Sequence, residues 1–210
     1  MTEPIFLASA SPRRRELLDQ IRVAYTVFDV PPPPGEDEPR MKDESPLAYV
    51  TRTALEKAGR AIAWARANDN AAVGNTRVLL TADTTVALGD EILAKPADAA
   101  DAARMLAWLS GKTHVVHTAV VVVAGGTTFE ALSTSHVTFS VLSRKDIEAY
   151  VASGEPFGKA GAYGIQGMAA RFISRIDGSY SGVMGLPLFE TARLLEQAQP
   201  SRSSNLCSIA

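Results

Sequence analysis

The chain of 210 residues carries 21 Lys and Arg against 23 Asp and Glu, which gives a net charge of −2 at pH 7. That balance argues against a general nucleic-acid-binding protein, which would carry a basic excess, but it allows a small anionic ligand in a local basic pocket. The hydrophobic content of 46% is enough for the core of one large domain, or of two lobes that share a cleft.

We expect a soluble, cytoplasmic protein that binds neither nucleic acid nor a membrane. The N-terminus lacks the pattern of a signal peptide, and no apolar run reaches the ~18 residues that a membrane span needs. The single cysteine, Cys207, leaves no partner for an internal disulfide. The sequence does not decide the oligomeric state, and a homodimer is one candidate.

The N-terminal segment predicts a strand over residues 5–8 and then a helix with Ser11 as N-cap and Pro12 at its first position. Three arginines follow in the first helical turn, where the helix dipole opposes cations at a cost of roughly 0.3–1 kcal/mol each. They are Arg13, Arg14 and Arg15. A phosphate held by these arginines, the Ser9 hydroxyl and backbone N–H groups would remove the conflict. A solvated basic patch is the alternative.

The next part of the chain predicts a strand over residues 25–30, a proline-rich acidic loop that reaches Pro39, and a long helix that opens at Ser45. The acidic cluster of the loop is either a set of oxygen ligands for a divalent cation or a solvated surface. The apolar stripe of the helix is Leu47, Val50, Ala54, Ala58, Ala61, Ile62 and Ala65. Lys57 borders this stripe, and either leans into a cleft or lies exposed along the surface.

A buried strand over residues 78–88 carries one carboxylate, Asp83, in its middle. An ionised carboxylate there is costly unless a cation, a metal or a proton meets it. Asp83 is therefore either a functional group or a structural residue that caps a turn or pairs with an arginine. The Gly89-Asp90 turn predicts a hairpin that places Lys95 near the same strand.

The C-terminal half predicts a helix capped by Asp98, two strands around a Gly-Gly turn, a helix with a Ser143–Asp146 capping box, a further strand and a last helix from Pro187. The histidines lack neighbours at metal-ligand spacing, so we interpret them as structural. They are His114, His117 and His136. Residues 199–210 are Ser-rich, and we expect them to be disordered.

The glycine-rich segment 157–167 suits close approach of a ligand to the backbone. Tyr163 offers a flat ring and Gln166 a donor–acceptor amide, which are the groups that a nucleobase pocket needs. The Gln166 amide could accept from N3–H of uracil or thymine and donate to a ring carbonyl. Cytosine lacks that N3–H, so such a contact would discriminate against it. An ordinary flexible loop is the alternative.

Taken together, these segments resemble the Maf family of nucleoside triphosphate pyrophosphatases from about Ile5 to Glu196. The motifs that carry the resemblance are LASASPRR at 7–14, ADT at 82–84, LAKP at 93–96, KAGAYGIQG at 159–167 and VMGLP at 183–187. The YGIQG form is similar to the subgroup that acts on dTTP and UTP, whereas the subgroup acting on 7-methyl-GTP carries a Ser-Glu-Gly type of loop.

The resemblance implies an α/β fold with a mixed, elongated β-sheet flanked by helices, and two lobes around a central cleft. We expect a single domain over residues 1–198. The implied reaction is hydrolysis between the α and β phosphates, which yields a nucleoside monophosphate and pyrophosphate and requires a divalent cation, Mg²⁺ or Mn²⁺.

The same resemblance implies roles for individual residues. Asp83 would be the proton acceptor, although the residue itself is equally suited to bind the cation. The implied determinants of substrate choice are Arg13, Thr84 and Gln166. The residues implied in phosphate or metal binding are Ser9, Arg14, Glu38, Lys57 and Lys95.

Two other functions fit the sequence. One is a non-catalytic nucleotide-binding regulator of septum formation and cell division, which would bind nucleotide without turnover. The other is a house-cleaning pyrophosphatase for non-standard purine nucleotides, which would prefer inosine or xanthosine triphosphate.

Overall fold

A mixed seven-stranded β-sheet runs through the residues that this computed structural model describes, 3–32, 38–70 and 72–198. Its strands are β1 (Ile5–Leu7), β2 (Tyr25–Val27), β3 (Leu79–Leu88), β4 (Glu91–Leu93), β5 (Thr113–Ala124), β6 (Thr127–Phe139) and β7 (Ile173–Asp177). The strand order is β2-β1-β3-β5-β6-β7, with β4 paired to β3. β1 runs parallel to β2 and β3, and the other pairs are antiparallel.

The sheet opens at the middle of β3. On one side β5 pairs with β3 from Leu79 to Ala87. On the other side β1 pairs only with Leu79 and Leu80, and β4 pairs only with residues 86–88. Within the described residues, the stretch 81–85 therefore has no strand beside it on this side, and Asp83 lies at the centre of the gap.

Six α-helices flank the sheet in the described ranges: α1 (Pro12–Gln20), α2 (Pro46–Ala67), α3 (Ala99–Leu109), α4 (Arg144–Ala152), α5 (Tyr180–Met184) and α6 (Leu188–Ala198). Short 3₁₀ turns cover Ala160–Ala162 and Met168–Phe172. The predicted capping box of α4 is confirmed, since the Ser143 and Asp146 side chains each accept from the other residue's backbone N–H. Over the described chain, no helix is long and apolar enough to cross a membrane.

Helices cover both faces of β3, which explains why its sequence is apolar nearly throughout. On one face α2 packs through residues such as Val50 and Ala54 against Leu79 and its neighbours. On the other face α1 and α6 pack against Leu80. Asp83 thus has to be stabilised from within a layered apolar core.

Two sequence expectations differ from the structure in this region. Leu47, assigned to the buried stripe of α2, is 46% exposed, because the core cluster that covers this stripe begins at Val50. The strand expected over residues 25–30 is regular only to Val27, although the Phe28 N–H still donates to the Leu7 carbonyl at 2.9 Å. Most of the acidic loop, residues 33–37, and the Ser-rich segment 199–210 lie outside the described residues.

The glycine-rich loop packs directly on the β3–β4 hairpin. Gly161 has a φ of +69°, and a Cβ there would lie 2.8 Å from Val86 Cγ1. Its N–H donates to the Ala94 carbonyl at 3.2 Å. A side chain at position 161 is excluded by both strain and contact, so glycine lets the loop approach the strand that carries Asp83.

Tyr163 lies in the core. It is 5% exposed, its hydroxyl is 2.8 Å from His114 Nε2, and its ring meets Phe139 edge-on at 5.0 Å between centroids. The ring packs against these core neighbours, and the expectation that it also meets a nucleobase stays a prediction. His114 is 1% exposed and belongs to the same aromatic group.

The buried His114 predicts a pH-dependent stability. Burial lowers the pKa of His114 to about 4, whereas an unfolded histidine titrates near 6.5. The unfolded chain therefore takes up a proton as the pH falls below about 6.5, and the folded chain does so only near 4. We expect this residue to lower the free energy of unfolding by up to about 3 kcal/mol across that window.

Urea unfolding of the wild type and of His114→Gln, which cannot titrate, measures this contribution. The wild type should lose stability more steeply than the variant as the pH falls from about 6.5 to about 4. Parallel pH dependences for the two proteins would contradict a neutral, buried His114.

Candidate functional site

A pocket of about 1090 Å³ lies where the sheet opens beside β3. Each residue that the sequence singled out for a site lines it: Ser9, Arg13, Arg14, Glu38, Lys57, Asp83, Thr84, Lys95 and Gln166. These residues come from the β1–α1 turn, the segment before α2, α2 itself, β3, the end of the hairpin and the glycine-rich loop. The fold thus brings together side chains that are more than 150 positions apart in the sequence.

The pocket is strongly positive although the chain as a whole is negative. Among the described residues, six cationic and three anionic side chains line it. The cations are Arg13, Arg14, Lys57, Arg60, Lys95 and Lys159, and the anions are Asp29, Glu38 and Asp83. A local surplus of positive charge in a concave site attracts and holds a polyanionic ligand.

Asp83 is 6% exposed and is held by two side chains of α2. Lys57 Nζ lies 2.6 Å from Oδ1, and the Thr53 hydroxyl lies 2.7 Å from Oδ2 and donates to it. Thr53 and Lys57 are one helical turn apart, so they point to the same face of α2. The cation that meets Asp83 is therefore a lysine from the packed helix, and Lys57 is not the surface residue that its sequence position also allowed.

Glu38 forms an ion pair with the same ammonium group. The Tyr49 hydroxyl donates to the Glu38 carbonyl at 3.0 Å and ties this part of the loop to α2. Lys57 thus lies between two carboxylates, Glu38 and Asp83. Two carboxylates together with substrate phosphates are a typical ligand set for Mg²⁺, so these oxygens fit a divalent cation. Within the described ranges, no group of three or more His, Cys, Asp or Glu side chains could hold a metal by itself.

Arg14 is oriented by three hydrogen bonds. Its guanidinium donates to the Gly185 carbonyl at 2.8 Å, to Ser9 Oγ at 3.0 Å and to Thr84 Oγ1 at 3.4 Å. Burial lowers the pKa of Arg14, and the nearby Asp83 acts in the opposite direction. An arginine keeps its charge even so. The three partners fix this charge against one wall of the pocket.

A chain of hydroxyls explains how Thr84 acts. Thr118, which is fully buried on β5, lies 2.8 Å from the Gly182 carbonyl and donates its only hydrogen to it. Thr84 Oγ1, 3.0 Å away, must then donate to Thr118, and it accepts from Arg14. In this arrangement Thr84 offers lone pairs rather than a hydrogen, and it orients Arg14.

The N-terminus of α1 has the groups expected of an anion site. Ser11 is the N-cap residue, but its side chain accepts no hydrogen bond from the first turn. Arg13 Nε is buried and has no hydrogen-bond partner among the described residues. Burial also lowers the pKa of Arg13. Because Ser11 does not cap the first-turn amides and the Arg13 Nε–H has no acceptor in the described chain, an anion here would suit both.

Lys95 and Gln166 are exposed residues of the pocket wall, one from the hairpin and one from the glycine-rich loop. Lys159 lines the same region, and its Nζ donates to the Glu155 carbonyl. Burial lowers the pKa of Lys159, and the nearby Arg13 lowers it further. The cations that lie close together at this end of the pocket repel one another, and a bound anion would relieve that repulsion.

Sequence reasoning missed Thr53 and Thr118. Each has a signal in the sequence, since each is a polar residue inside an otherwise apolar stripe or strand. Thr53 also stands four positions before Lys57, the spacing that aligns side chains on a helix.

Comparison with known proteins agrees with the motifs. Residues 4–198 match the family model described as Maf-like protein. The chain belongs to the Maf family.

The resemblance found in the sequence is therefore confirmed. A dTTP/UTP pyrophosphatase of Bordetella avium is 57% identical over 194 residues, which cover 92% of this chain and 94% of that protein. Those of Ralstonia nicotianae and Cupriavidus metallidurans are 56% and 54% identical. The Ralstonia match covers 92% of this chain and 93% of that protein. The Cupriavidus match covers 94% of this chain and 98% of that protein.

The hydroxyl chain predicts a specific loss in Thr118→Val. This change removes one of the two donors to the Gly182 carbonyl, which keeps the Gly185 N–H, and it removes the acceptor of Thr84, so we expect the free energy of unfolding to fall by about 1–3 kcal/mol. Thr118→Ser keeps the hydroxyl and should recover most of that loss. Equal stability of the two variants in urea unfolding would show that the hydroxyl does not contribute.

Proposed function

We propose that this chain is a nucleoside triphosphate pyrophosphatase that hydrolyses dTTP and UTP to the monophosphate and pyrophosphate. The observation that carries the proposal is the convergence of the Arg13–Arg14 helix end and the Lys57–Asp83 pair in one pocket. Membership of the Maf family, and the more than 50% identity to proteins named dTTP/UTP pyrophosphatase, support the reaction and the substrates. The pocket would be the central cleft between two lobes of a single domain over residues 1–198.

The triphosphate would be held by charge and by backbone amides. Arg13, Arg14, Ser9 and the N-terminus of α1 supply one cluster of donors, and Lys95 and Lys57 supply further cations. Phosphoryl transfer asks a protein mainly for positioning and for neutralisation of charge. The surplus of cations in the pocket meets the second requirement, and the fixed orientation of Arg14 meets the first.

Asp83 would accept the proton of the attacking water. Thr53 and Lys57 each occupy one of its oxygens, and a carboxylate has about four acceptor sites, so it can still accept from water. Lys57 places a positive charge against one oxygen of the carboxylate, and Thr53 fixes its plane through the other. Both effects favour a base that is ready before substrate arrives.

Glu38 and Asp83 are the residues that would hold a divalent cation, Mg²⁺ or Mn²⁺. When bound, such a cation would supply positive charge that neutralises the phosphates. The two carboxylates already converge on the Lys57 ammonium, which shows that this point of the pocket accommodates a positive charge between them.

Gln166 would select the base. Its exposed amide at the pocket wall can accept from N3–H and donate to a ring carbonyl of uracil or thymine. A cytosine ring presents no N3–H and would leave the amide oxygen without a donor.

Cytoplasmic location and a homodimer remain predictions.

A substrate panel tests the function. The protein is incubated with Mg²⁺ or Mn²⁺ and with dTTP, UTP, CTP, 7-methyl-GTP, ITP or XTP, and the products are resolved. We expect pyrophosphate and monophosphate from dTTP and UTP. A preference for ITP or XTP would favour a house-cleaning enzyme for purine nucleotides. Nucleotide binding without turnover would favour a regulator. Either result would contradict the proposal.

Asp83→Asn tests the assignment of the base. It keeps the size of the side chain and removes its basicity, so we expect kcat to fall by about 10²–10⁴-fold. Asp90→Asn, in the exposed turn of the same hairpin, serves as the matched control and should keep wild-type turnover. Turnover close to wild type in a folded Asp83→Asn would show that another group takes the proton.

A further inference from the structure

The loop that carries Gln166 poses a problem of positioning. Gln166 is exposed, so no packing of its own side chain fixes it in the pocket. A hydrogen bond that selects a base requires the amide to be held in place before the base arrives, because misplacement by about 1 Å can cost 10²-fold in rate. The restraint has to act through the backbone on either side of this residue.

Two backbone N–H groups, each two positions from Gln166, are bound by one pair of side chains. The Gly164 N–H donates to the Tyr150 hydroxyl at 3.2 Å, and the Met168 N–H donates to Glu155 Oε2 at 2.9 Å. The Tyr150 hydroxyl in turn lies 2.8 Å from Glu155 Oε1 and donates to it. Every donor in this network faces an acceptor, so its polarity is unambiguous.

The pair is itself firmly held. Tyr150 is 1% exposed, and its ring packs edge-on against Phe172 at 5.5 Å between centroids. Burial and the neighbouring Glu155 carboxylate raise the pKa of Tyr150, so the phenol stays protonated and remains a donor. Ile165, between the two bound amides, is 4% exposed and fixes the loop to the core.

Gly167 is required by the same contacts. A Cβ at this position would overlap the Glu155 carboxylate. The loop therefore lies against the carboxylate so closely that a side chain at position 167 would displace it. The backbone of Glu155 also contacts a cation of the pocket, because Lys159 Nζ donates to its carbonyl oxygen.

We propose that Tyr150 and Glu155 are positioning residues that determine base selectivity by clamping the loop on both sides of Gln166. Neither residue lines the pocket. The proposal rests on the pyrimidine triphosphate pyrophosphatase function and deepens it: α4 and the turn after it set how accurately the pocket tells uracil from cytosine.

Tyr150→Phe is the direct test, since it removes the hydroxyl and keeps the ring. We expect the ratio of kcat/KM for UTP to kcat/KM for CTP to fall by about tenfold. KM for UTP should rise while kcat changes much less, because the phosphate end of the pocket is untouched. Tyr25→Phe is the control, because its hydroxyl lies 3.3 Å from Asp19 Oδ2 and Tyr25 lines neither the pocket nor the glycine-rich loop, so it should leave the ratio unchanged.

Gly167→Ala tests the clamp from its other side, because the new methyl group forces the Glu155 carboxylate to move. It should lower the same ratio. If Tyr150→Phe and Gly167→Ala keep the wild-type ratio, and lose only stability or overall rate, the pair is structural and the proposal is wrong.

Amide hydrogen exchange separates this proposal from the proposed function. In the wild type the Gly164 and Met168 amides should be protected, and in Tyr150→Phe both should exchange faster while amides of β3 stay unchanged. Unchanged exchange at position 164 would overturn the clamp whatever the enzyme hydrolyses. Absence of UTP turnover in the wild type would overturn the proposed function, and the selectivity role with it, while the exchange data would still report on the clamp itself.

Discussion

The ion pair between Lys57 and Asp83 is the contact on which the rest of the site depends. A carboxylate placed among apolar residues is destabilised unless opposite charge and hydrogen bonds compensate for lost water. Here α2 supplies both from one face, through Lys57 and Thr53. The packing of α2 on the sheet therefore holds the Asp83 carboxylate in place at the centre of the pocket.

The sheet gives this carboxylate access to a ligand. β1 and β4 both pair with the same side of β3, but they leave its middle uncovered in the described part of the chain. This edge of β3 is thus paired with a neighbouring strand at each end and open in the middle. The positive side chains around the opening belong to segments that the sheet order brings to this gap, and the pocket has a charge opposite to that of the whole chain. This contrast suits a small polyanion better than an extended nucleic acid.

Local patterns predicted much of the architecture. The apolar run around Asp83, the turn at Gly89 and the Ser143 capping box follow from rules that act over a few residues, and each has its counterpart in the structure. The family motifs also predicted residues that line one pocket.

Other features depend on contacts that no local pattern encodes. The gap beside Asp83 arises from the register of two strands that are far apart in the sequence. The contact of Tyr163 with His114, 49 positions earlier, joins the glycine-rich loop to the core. The Gly182 carbonyl that Thr118 binds is 64 positions away in α5, and the Gly164 N–H that binds Tyr150 is 14 positions away, so these bonds form only in the folded chain.

The most direct test of the central claim is a crystal structure with α,β-methylene UTP, an analogue that cannot be cleaved between its α and β phosphates. The account predicts that the phosphates contact Arg14 and the N-terminus of α1, that Asp83 faces the α phosphate, and that the uracil ring meets Gln166. An analogue bound in the same crystal without contact to Asp83, Arg14 or Gln166 would contradict it.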